Sequence, residues 1–270
     1  MPTTTPRPWL ASYAEGVPHD IDLPEGSLYD LVDGSVARFA QNVALEFFGR
    51  TTTYAEMGDR ILRAAEGLRV LGVQKGDTVA LVLPNCPQHV VAFYAVLRLG
   101  AIVVEHNPLY TPRELRHQFE DHGAKFAIVW NNVVATVQQL PADVAVRTIV
   151  SVDVTRAMPV ATRALLRLPI EKARASRSAL TTSVRGTVTW EKLLGNARVD
   201  EHIFRPDAAD VAVIQYTSGT KACPRVRPSP TAISRRTPRR RAPGCRPCNA
   251  APRSCMPFCP CSMPTALRSA

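Results

Sequence analysis

The feature that most constrains the fold is a regular alternation of short apolar runs with amphipathic stretches over residues 1–220. The apolar runs have the length and the β-branched content of buried strands: TVALVL (78–83), AIVVEH (101–106), KFAIVW (125–130), VRTIVSV (146–152) and VAVIQY (211–216). Stretches with helical spacing lie between most of them. Near-continuous apolar strands that alternate with helices are typical of a sheet covered on both faces. The sequence therefore predicts an α/β fold with a mostly parallel sheet and covering helices.

Local signals indicate where these helices start and end. Thr53 with Glu56, and Thr111 with Glu114, form T-x-x-E capping boxes in front of helical patterns. Pro112 stands at the favoured first helical position. Glycines are expected to end three of the helices: Gly72, Gly100 and Gly123. Further elements are predicted as a β-hairpin over 43–54, a helix over about 87–99 and a short helix over 132–140.

Composition divides the chain into two parts near Thr220. Residues 221–270 contain eleven of the 33 Lys and Arg residues, six of the seven Cys, ten of the 23 Pro and no Asp or Glu. The first 220 residues are therefore close to neutral, and the formal net charge of +10 belongs to the tail. We predict a partial domain over 1–220, followed by an Arg-, Pro- and Cys-rich tail over 221–270 without stable structure.

The cysteine count and the apolar content indicate the cellular compartment and the roles of single Cys and His residues. Cys86 is the one cysteine before the tail, which suits a reducing compartment. The N-terminal residues contain no apolar run of the kind found in signal peptides, and no stretch approaches 18 apolar residues. We therefore expect a cytoplasmic protein. Cys86 is interpreted as a packing residue, and His106 and His117 as structural or exposed rather than catalytic.

Residues 153–194 interrupt the strand and helix alternation with a basic insertion. Its central part, over 153–180, alternates Arg and Lys with Leu and Ile and has Glu171 as its one acid after Asp153. One interpretation is a solvated surface excursion. The other is a basic amphipathic segment in peripheral contact with an anionic membrane. Pro169 argues against a single unbroken helix in either case.

The TSGT string at 217–220 follows the last apolar run directly. Hydroxyl groups can donate hydrogen bonds to phosphate oxygens, and a glycine lets backbone N–H groups approach them closely. A strand that leads into such a turn is the usual build of a phosphate-binding loop. Taken alone, the four residues also fit an ordinary Ser/Thr turn.

Four longer stretches together resemble one family. They are TYAEM (53–57), GVQKGDTVALVLPN (72–85), LRLGAIVVEHNPLYTPREL (97–115) and AVIQYTSGT (212–220). In these stretches the chain resembles the N-terminal part of adenylate-forming, or AMP-binding, acyl-CoA synthetases, and most of all bacterial long-chain fatty-acid–CoA ligases. The order and spacing of the stretches cover nearly the whole of residues 1–220.

The resemblance implies a large N-terminal domain of sheets and helices, followed in the family by a small mobile domain. It implies a reaction in which a fatty acid and ATP form an acyl-adenylate, whose acyl group then passes to coenzyme A. ATP, Mg²⁺ and CoA are the implied cofactors, and a fatty acid and CoA the implied partners. By the same resemblance the residues that hold the ATP phosphates are Thr217, Ser218, Gly219 and Thr220.

The chain departs from the family pattern directly after Thr220. The family continues with T-G-x-P-K-G, whereas this chain has KACPR (221–225). The glycines that let the loop wrap the phosphates and the lysine that supplies positive charge are missing. The family's later segments are missing as well: an aromatic-Gly-x-Thr-Glu segment, a ribose-binding aspartate and a catalytic lysine. We therefore expect an incomplete loop, no catalytic or metal-binding residue, and no ligase activity.

The genetic code suggests why the pattern stops. If one nucleotide is missing after the Thr220 codon, codon degeneracy over 221–227 permits Gly-Val-Pro-Lys-Gly-Ala in the shifted frame. Over 255–266 the shifted codons permit Tyr-Ala-Val-Leu-Pro-Met-Phe-His-Ala-Tyr-Gly, with three forced positions and no conflict. The second stretch resembles the family's Pro-x-Phe-His segment. The tail is therefore interpreted as a ligase gene read out of frame.

Two functional interpretations of the tail compete with the shifted frame. RRTPRRR (235–241) could neutralise the phosphates of a nucleic acid, although no aromatic residues are interleaved with it. Five cysteines could bind zinc, although the tail has no histidine: Cys245, Cys248, Cys255, Cys259 and Cys261. A nucleic-acid- or zinc-binding protein is thus the alternative function, and no specific nucleic acid is expected under the leading one.

Overall fold

The computed structural model describes residues 7–20, 25–217 and 225–230, all within one compact unit, Met1–Ser234. A short hairpin of β1 (Val43–Phe47) and β2 (Arg50–Thr53) stands apart from the main sheet. The main sheet contains β3 (Thr78–Val82), β4 (Ile102–His106), β5 (Phe126–Trp130), β6 (Thr148–Val152), β7 (Val188–Thr189), β8 (Val211–Thr217) and β9 (Arg225–Pro230). Its spatial order is β7-β6-β5-β3-β4-β8-β9.

Every pairing among β3 to β8 in this sheet is parallel, and β9 alone runs antiparallel to its neighbour β8. The prediction of an α/β fold with a mostly parallel sheet is therefore confirmed. β9 differs from the expectation of a tail without regular structure. The other tail residues lie outside the described part of the chain, so for them the expectation stays a prediction.

The helices are α1 (Leu28–Arg38), α2 (Tyr54–Val70), α3 (Pro87–Arg98), α4 (Pro112–His122), α5 (Asn131–Gln138), α6 (Val160–Leu165), α7 (Glu171–Leu180) and α8 (Trp190–Leu194), with 3₁₀ turns at Pro8–Ser12 and Val154–Ala157. The predicted helices α2 to α5 begin within a residue or two of where the sequence signals place them, whereas α1, α6, α7 and α8 were not predicted. Both predicted capping boxes are formed, at the starts of α2 and α4. Gly123 ends α4 in the left-handed conformation, with φ of 59°.

The sheet separates two apolar layers, which explains the continuous apolar strands. On β3, Val79 and Leu81 pack into the layer that contains α1, α2, α3 and α8. Ala80 and Val82 point to the opposite layer, against α4 and α5. Because successive side chains of a strand face opposite sides, a sheet with both faces covered needs apolar residues at every position.

Arg98 fixes the segment that leads into β8. Its side chain is fully buried, and its guanidinium donates to the carbonyl oxygens of Phe204 at 2.7 Å, Asp200 at 3.1 Å and Ile203 at 3.3 Å. The Phe204 ring lies over Gly100, where an added Cβ would approach ring atom Cε1 to 2.9 Å. The path from residue 200 to β8 is therefore held by the buried Arg98 and the Phe204 ring contact, together with ion pairs of Arg205 with Asp33 and of Lys75 with Asp210.

The basic insertion is only partly a surface excursion. Met158, Trp190 and Leu193 are buried, and β7 joins the edge of the main sheet beside β6. Between these anchors, α6 and α7 lie mostly exposed. The residues that return to the core after 187 were missed in the sequence because β7 is only two residues long. Among the described residues, no helix is both long and apolar enough to cross a membrane.

Candidate functional site

β8 carries the start of the TSGT segment to the carboxyl edge of the sheet. It lies between β4 and β9, and Glu105 of β4 pairs in register with Gln215, two residues before Thr217. In open parallel sheets, ligands bind beyond the carboxyl ends of the strands. Thr217 is the last residue of β8, and the other three predicted phosphate-binding residues lie outside the described part of the chain: Ser218, Gly219 and Thr220. Their predicted role stays a prediction.

Tyr216 attaches the end of β8 to α4. Its buried hydroxyl donates to Oδ2 of Asp121 at 2.7 Å and lies 3.3 Å from the carbonyl oxygen of Gln118. Burial, together with the nearby Asp121 carboxylate, raises the pKa of the Tyr216 hydroxyl well above its ordinary value. Tyr216, which directly precedes Thr217, is therefore held in place by the hydrogen bond of its neutral hydroxyl to Asp121 of α4.

Two histidines lie beside this contact as neutral rings. The His106 and His122 ring centroids are 5.0 Å apart, and His106 stacks on Phe119 at 4.9 Å. Burial lowers the pKa of His106 to about 4. The hydrogen bond of its Nδ1 to Gln118 Oε1, at 2.6 Å, raises the pKa but is outweighed by burial. Burial, and then His106 itself, lower the pKa of His122 to about 3.

The hydrogen bonds of the two rings show which ring nitrogens remain without a partner. His122 Nδ1 accepts from the backbone N–H of Ala124 at 3.0 Å, so its ring proton lies on Nε2. The Nε2 atoms of His122 and His106 are buried and have no hydrogen-bond partner among the described residues. His106 is therefore a structural residue, as expected, and His117 is exposed on α4. His122 was not singled out from the sequence.

A family model described as "AMP-binding enzyme" matches residues 32–225, which include most of the described domain and the TSGT segment. The chain belongs to the AMP-binding enzyme family. The matched range takes in β1 to β8 and the helices between them. Membership of the predicted family is therefore confirmed, on the fold as well as on the four sequence stretches.

Two curated AMP-binding relatives carry the name long-chain-fatty-acid–CoA ligase. The protein from Bacillus subtilis (strain 168) is 34% identical over 226 residues, which are 81% of this chain and 39% of the relative. The protein from Escherichia coli O157:H7 is 33% identical over 217 residues, 78% of this chain and 38% of the relative. The chain thus spans about two fifths of the length of these relatives.

Solved structures of CoA ligases share the fold. A long-chain-fatty-acid-CoA ligase (FadD1) from Archaeoglobus fulgidus superimposes with a TM-score of 0.62 at 21% identity, over 81% of this chain and 39% of that one. The anthranilate CoA ligase AuaEII, solved in complex with anthranoyl-AMP, gives a TM-score of 0.63 at 19% identity, over 78% of this chain and 36% of that one. The predicted fold of adenylate-forming enzymes is confirmed by these likenesses.

A second feature of this AMP-binding domain lies at the same edge of the sheet. Nε2 of His89, in the first turn of α3, lies 3.0 and 3.1 Å from the two carboxylate oxygens of Glu105. Burial lowers the pKa of His89, but the hydrogen bond and the charge of Glu105 outweigh this effect, and the pKa is raised overall. This pair was not predicted, because its members lie 16 residues apart and no local pattern connects them.

His89 also lines a half-open apolar cavity of about 510 Å³. The other lining side chains are mostly apolar and come from the hairpin and α3: Leu45, Phe47, Cys86, Val90, Phe93 and Tyr94. Cys86 is a buried free cysteine, and burial raises the pKa of its thiol to about 11. A thiol that stays protonated is a poor nucleophile, so Cys86 acts as a packing residue, as expected.

Metal ligands are not gathered in the described part of the domain. Within residues 7–20, 25–217 and 225–230, no group of three His, Cys, Asp or Glu side chains is placed to hold a metal ion. Mg²⁺ in nucleotide sites is usually held by one or two carboxylates together with the phosphates, so its binding by this chain stays a prediction from the family. The five tail cysteines considered for zinc lie outside the described residues.

Proposed function

We propose that this chain is the N-terminal part of an ATP-dependent long-chain fatty-acid–CoA ligase, and that it has no ligase activity by itself. The parent reaction converts a fatty acid, ATP and CoA into acyl-CoA, AMP and pyrophosphate through an acyl-adenylate. The observation that carries the proposal is the position of Thr217, at the carboxyl end of a central strand in a domain of the AMP-binding family. The names of the curated relatives support the choice of a fatty acid as the substrate.

In the parent enzyme, the TSGT segment holds the ATP phosphates. Its hydroxyl and backbone N–H groups donate to phosphate oxygens, and such donors stabilise the charge that develops as the adenylate forms. The Tyr216–Asp121 hydrogen bond keeps the last residue of the strand in place for this role. ATP, when bound, supplies the adenylyl group that activates the fatty acid.

Loss of activity follows from what this chain lacks after Thr220. KACPR (221–225) provides neither the glycines of the loop nor a lysine at the family position.

The proposal is tested by assaying acyl-CoA formation with the purified 270-residue protein, a long-chain fatty acid, ATP, Mg²⁺ and CoA. A Thr217→Ala/Thr220→Ala variant is the matched control, since it removes two hydroxyls of the loop and leaves the rest of the chain unchanged. We expect both proteins to give the background rate. Formation of acyl-CoA by the unmodified protein above the rate of the variant would contradict the proposal.

The same preparation addresses the alternative function. A nucleic-acid- or zinc-binding protein predicts zinc in the purified chain, or salt-dependent binding of RNA that is lost when residues 221–270 are deleted. The proposed function predicts neither zinc nor specific RNA binding.

A further inference from the structure

The exposed surface of α6 and α7 combines apolar side chains with cations, and we call residues 160–177 the α6–α7 surface. Four of its apolar side chains are largely accessible: Val160 (77% exposed), Leu165 (62%), Leu168 (44%) and Ile170 (54%). Single exposed apolar residues are ordinary on soluble domains, but grouped ones mark interaction sites. Four within eleven residues therefore indicate a surface that contacts an apolar phase.

The cations of this surface have no carboxylate partner within the part of the chain that the structure describes. No side chain among Arg163, Arg167, Lys172, Arg174 and Arg177 forms an ion pair with the residues that the structure describes, whereas several arginines elsewhere pair with carboxylates, among them Arg63 and Arg116. Glu171 is the one acidic residue between Asp153 and Glu191. The surface therefore carries five positive charges and one negative charge, and its net positive charge is not neutralised by ion pairs with the described residues.

This surface is held to the domain at both ends. Met158 is fully buried before α6, and Ala173 is buried on the inner side of α7. After α7, Nε1 of Trp130 donates to the carbonyl oxygen of Leu180 at 2.7 Å. Asn132 Nδ2 donates to the carbonyl oxygens of Ser178 and Ala179 at 3.0 Å each. The helices that carry the charged and apolar side chains are thus anchored to the folded domain at both ends.

An open cleft of about 970 Å³ borders α7. Cations and hydroxyl groups line it together: Arg174, Arg177, Ser178, Thr181, Thr182 and Ser183. Two carboxylates, of Asp153 and Glu171, line it as well. Asp153 Oδ1 already accepts hydrogen bonds from the Thr155 hydroxyl at 2.6 Å and backbone N–H at 3.0 Å. Arginine and hydroxyl groups at this position can donate hydrogen bonds to the oxygens of a phosphate group.

We propose that the α6–α7 surface rests on an anionic lipid bilayer. Its aliphatic side chains enter the headgroup region, and its cations lie at the level of the lipid phosphates. An anionic bilayer provides an apolar interior for the aliphatic side chains and phosphate groups for the cations. A nucleic acid would satisfy the cations but would leave four aliphatic side chains in water. The inference does not depend on the proposed ligase function.

Flotation of the full 270-residue chain with lipid vesicles tests this. We expect binding to phosphatidylcholine vesicles that contain phosphatidylglycerol, weak binding to phosphatidylcholine alone, and loss of binding as salt is raised. Arg163→Gln/Arg167→Gln should weaken vesicle binding roughly 25-fold, since each surface cation contributes about fivefold. Leu165→Ser/Leu168→Ser should weaken binding as well, because it removes the inserted apolar area.

Two matched controls and one tail variant keep the test specific. Leu109→Ser replaces a side chain that is 79% exposed on another loop, and Arg113→Gln replaces an exposed cation on α4. Both should bind as the unmodified chain does. Substitution of five of the ten tail arginines by Gln removes the most concentrated charge of the tail: Arg235, Arg236, Arg239, Arg240 and Arg241. In that background the α6–α7 variants should still lose binding.

Three results would overturn the proposal. The first is vesicle binding that depends only on the tail arginines. The second is unchanged binding by Leu165→Ser/Leu168→Ser, combined with equal competition by RNA, which would show a general affinity for polyanions. The third is no binding of the unmodified chain to anionic vesicles at low salt. Thermal unfolding of each variant confirms that these exposed substitutions leave the fold intact.

Discussion

At the scale of single residues, the neutral pair His106 and His122 makes the fold sensitive to acid. Their pKa values of about 4 and about 3 lie below the ordinary histidine value of 6.5. Below pH 6.5 the unfolded chain therefore takes up protons that the folded chain excludes. Folding free energy is lost as pH falls from 6.5 toward these lowered values, and it is fully retained above pH 6.5.

We predict that replacing His106 makes the acid loss of stability smaller. Between pH 7 and about 4.5, the loss for His106→Gln should be roughly 2 kcal/mol less than for the unmodified chain, because one shifted histidine is removed. Denaturant unfolding at several pH values measures this difference. The exposed His117→Gln is the control and should follow the unmodified chain. Equal slopes for His106→Gln and the unmodified chain would show that His106 is not held neutral.

At the scale of elements, Arg98 connects α3 to the segment that enters β8. Its three donated hydrogen bonds to carbonyl oxygens come from one planar, buried group. Lysine has no planar fork and cannot reach the same three acceptors at once. The connection therefore depends on arginine in particular and not on positive charge in general.

We predict that Arg98→Lys lowers the free energy of unfolding by about 2 kcal/mol, since buried carbonyls lose charged donors. Hydrogen exchange over 199–206 should become faster, because this segment is released first. Arg113→Lys, on the exposed face of α4, should change stability by less than about 0.5 kcal/mol. Slow exchange over 199–206 in Arg98→Lys would contradict the prediction, because the remaining contacts of the segment, among them the ion pair of Arg205 with Asp33, would then hold it without the guanidinium.

The sequence predicted the elements that are encoded locally. Capping boxes at Thr53 and Thr111, the terminal Gly123 and the apolar runs of β3 to β6 and β8 depend on a few adjacent residues. β7 and α8 were not predicted, because a two-residue strand is defined by its neighbour β6 and not by its own pattern. An S-x-x-D capping box at Ser27 does precede α1 and could have revealed that helix.

The candidate site was predicted less completely than the fold. The TSGT string has a recognisable pattern, and the structure places its first residue at the end of β8. The contacts of Tyr216 with Asp121 and of His89 with Glu105 join residues 95 and 16 positions apart. Such contacts arise from the crossing of α4 and α3 over the sheet and leave no trace in local sequence.

At the scale of the whole molecule, the sequence changes from an AMP-binding domain to a basic tail directly after the TSGT segment, which is predicted to bind phosphate. The family match ends at residue 225, and the chain spans about two fifths of its curated relatives. The domain before Thr220 is close to neutral and keeps the family fold, whereas the tail has no acidic residue and six cysteines. We propose that one shifted reading frame explains both the interrupted family pattern and the composition of the tail.

The nucleotide sequence from codon 218 through codon 270 tests this account most directly. When the bases after the Thr220 codon are translated one position out of step, we predict Gly-Val-Pro-Lys-Gly-Ala over the codons of 221–227. We also predict Pro-Met-Phe-His within the codons of 255–266, and an open frame throughout. Stop codons, or residues unlike these two segments, in the shifted frame would contradict the account and would return the tail to the status of a genuine coding sequence.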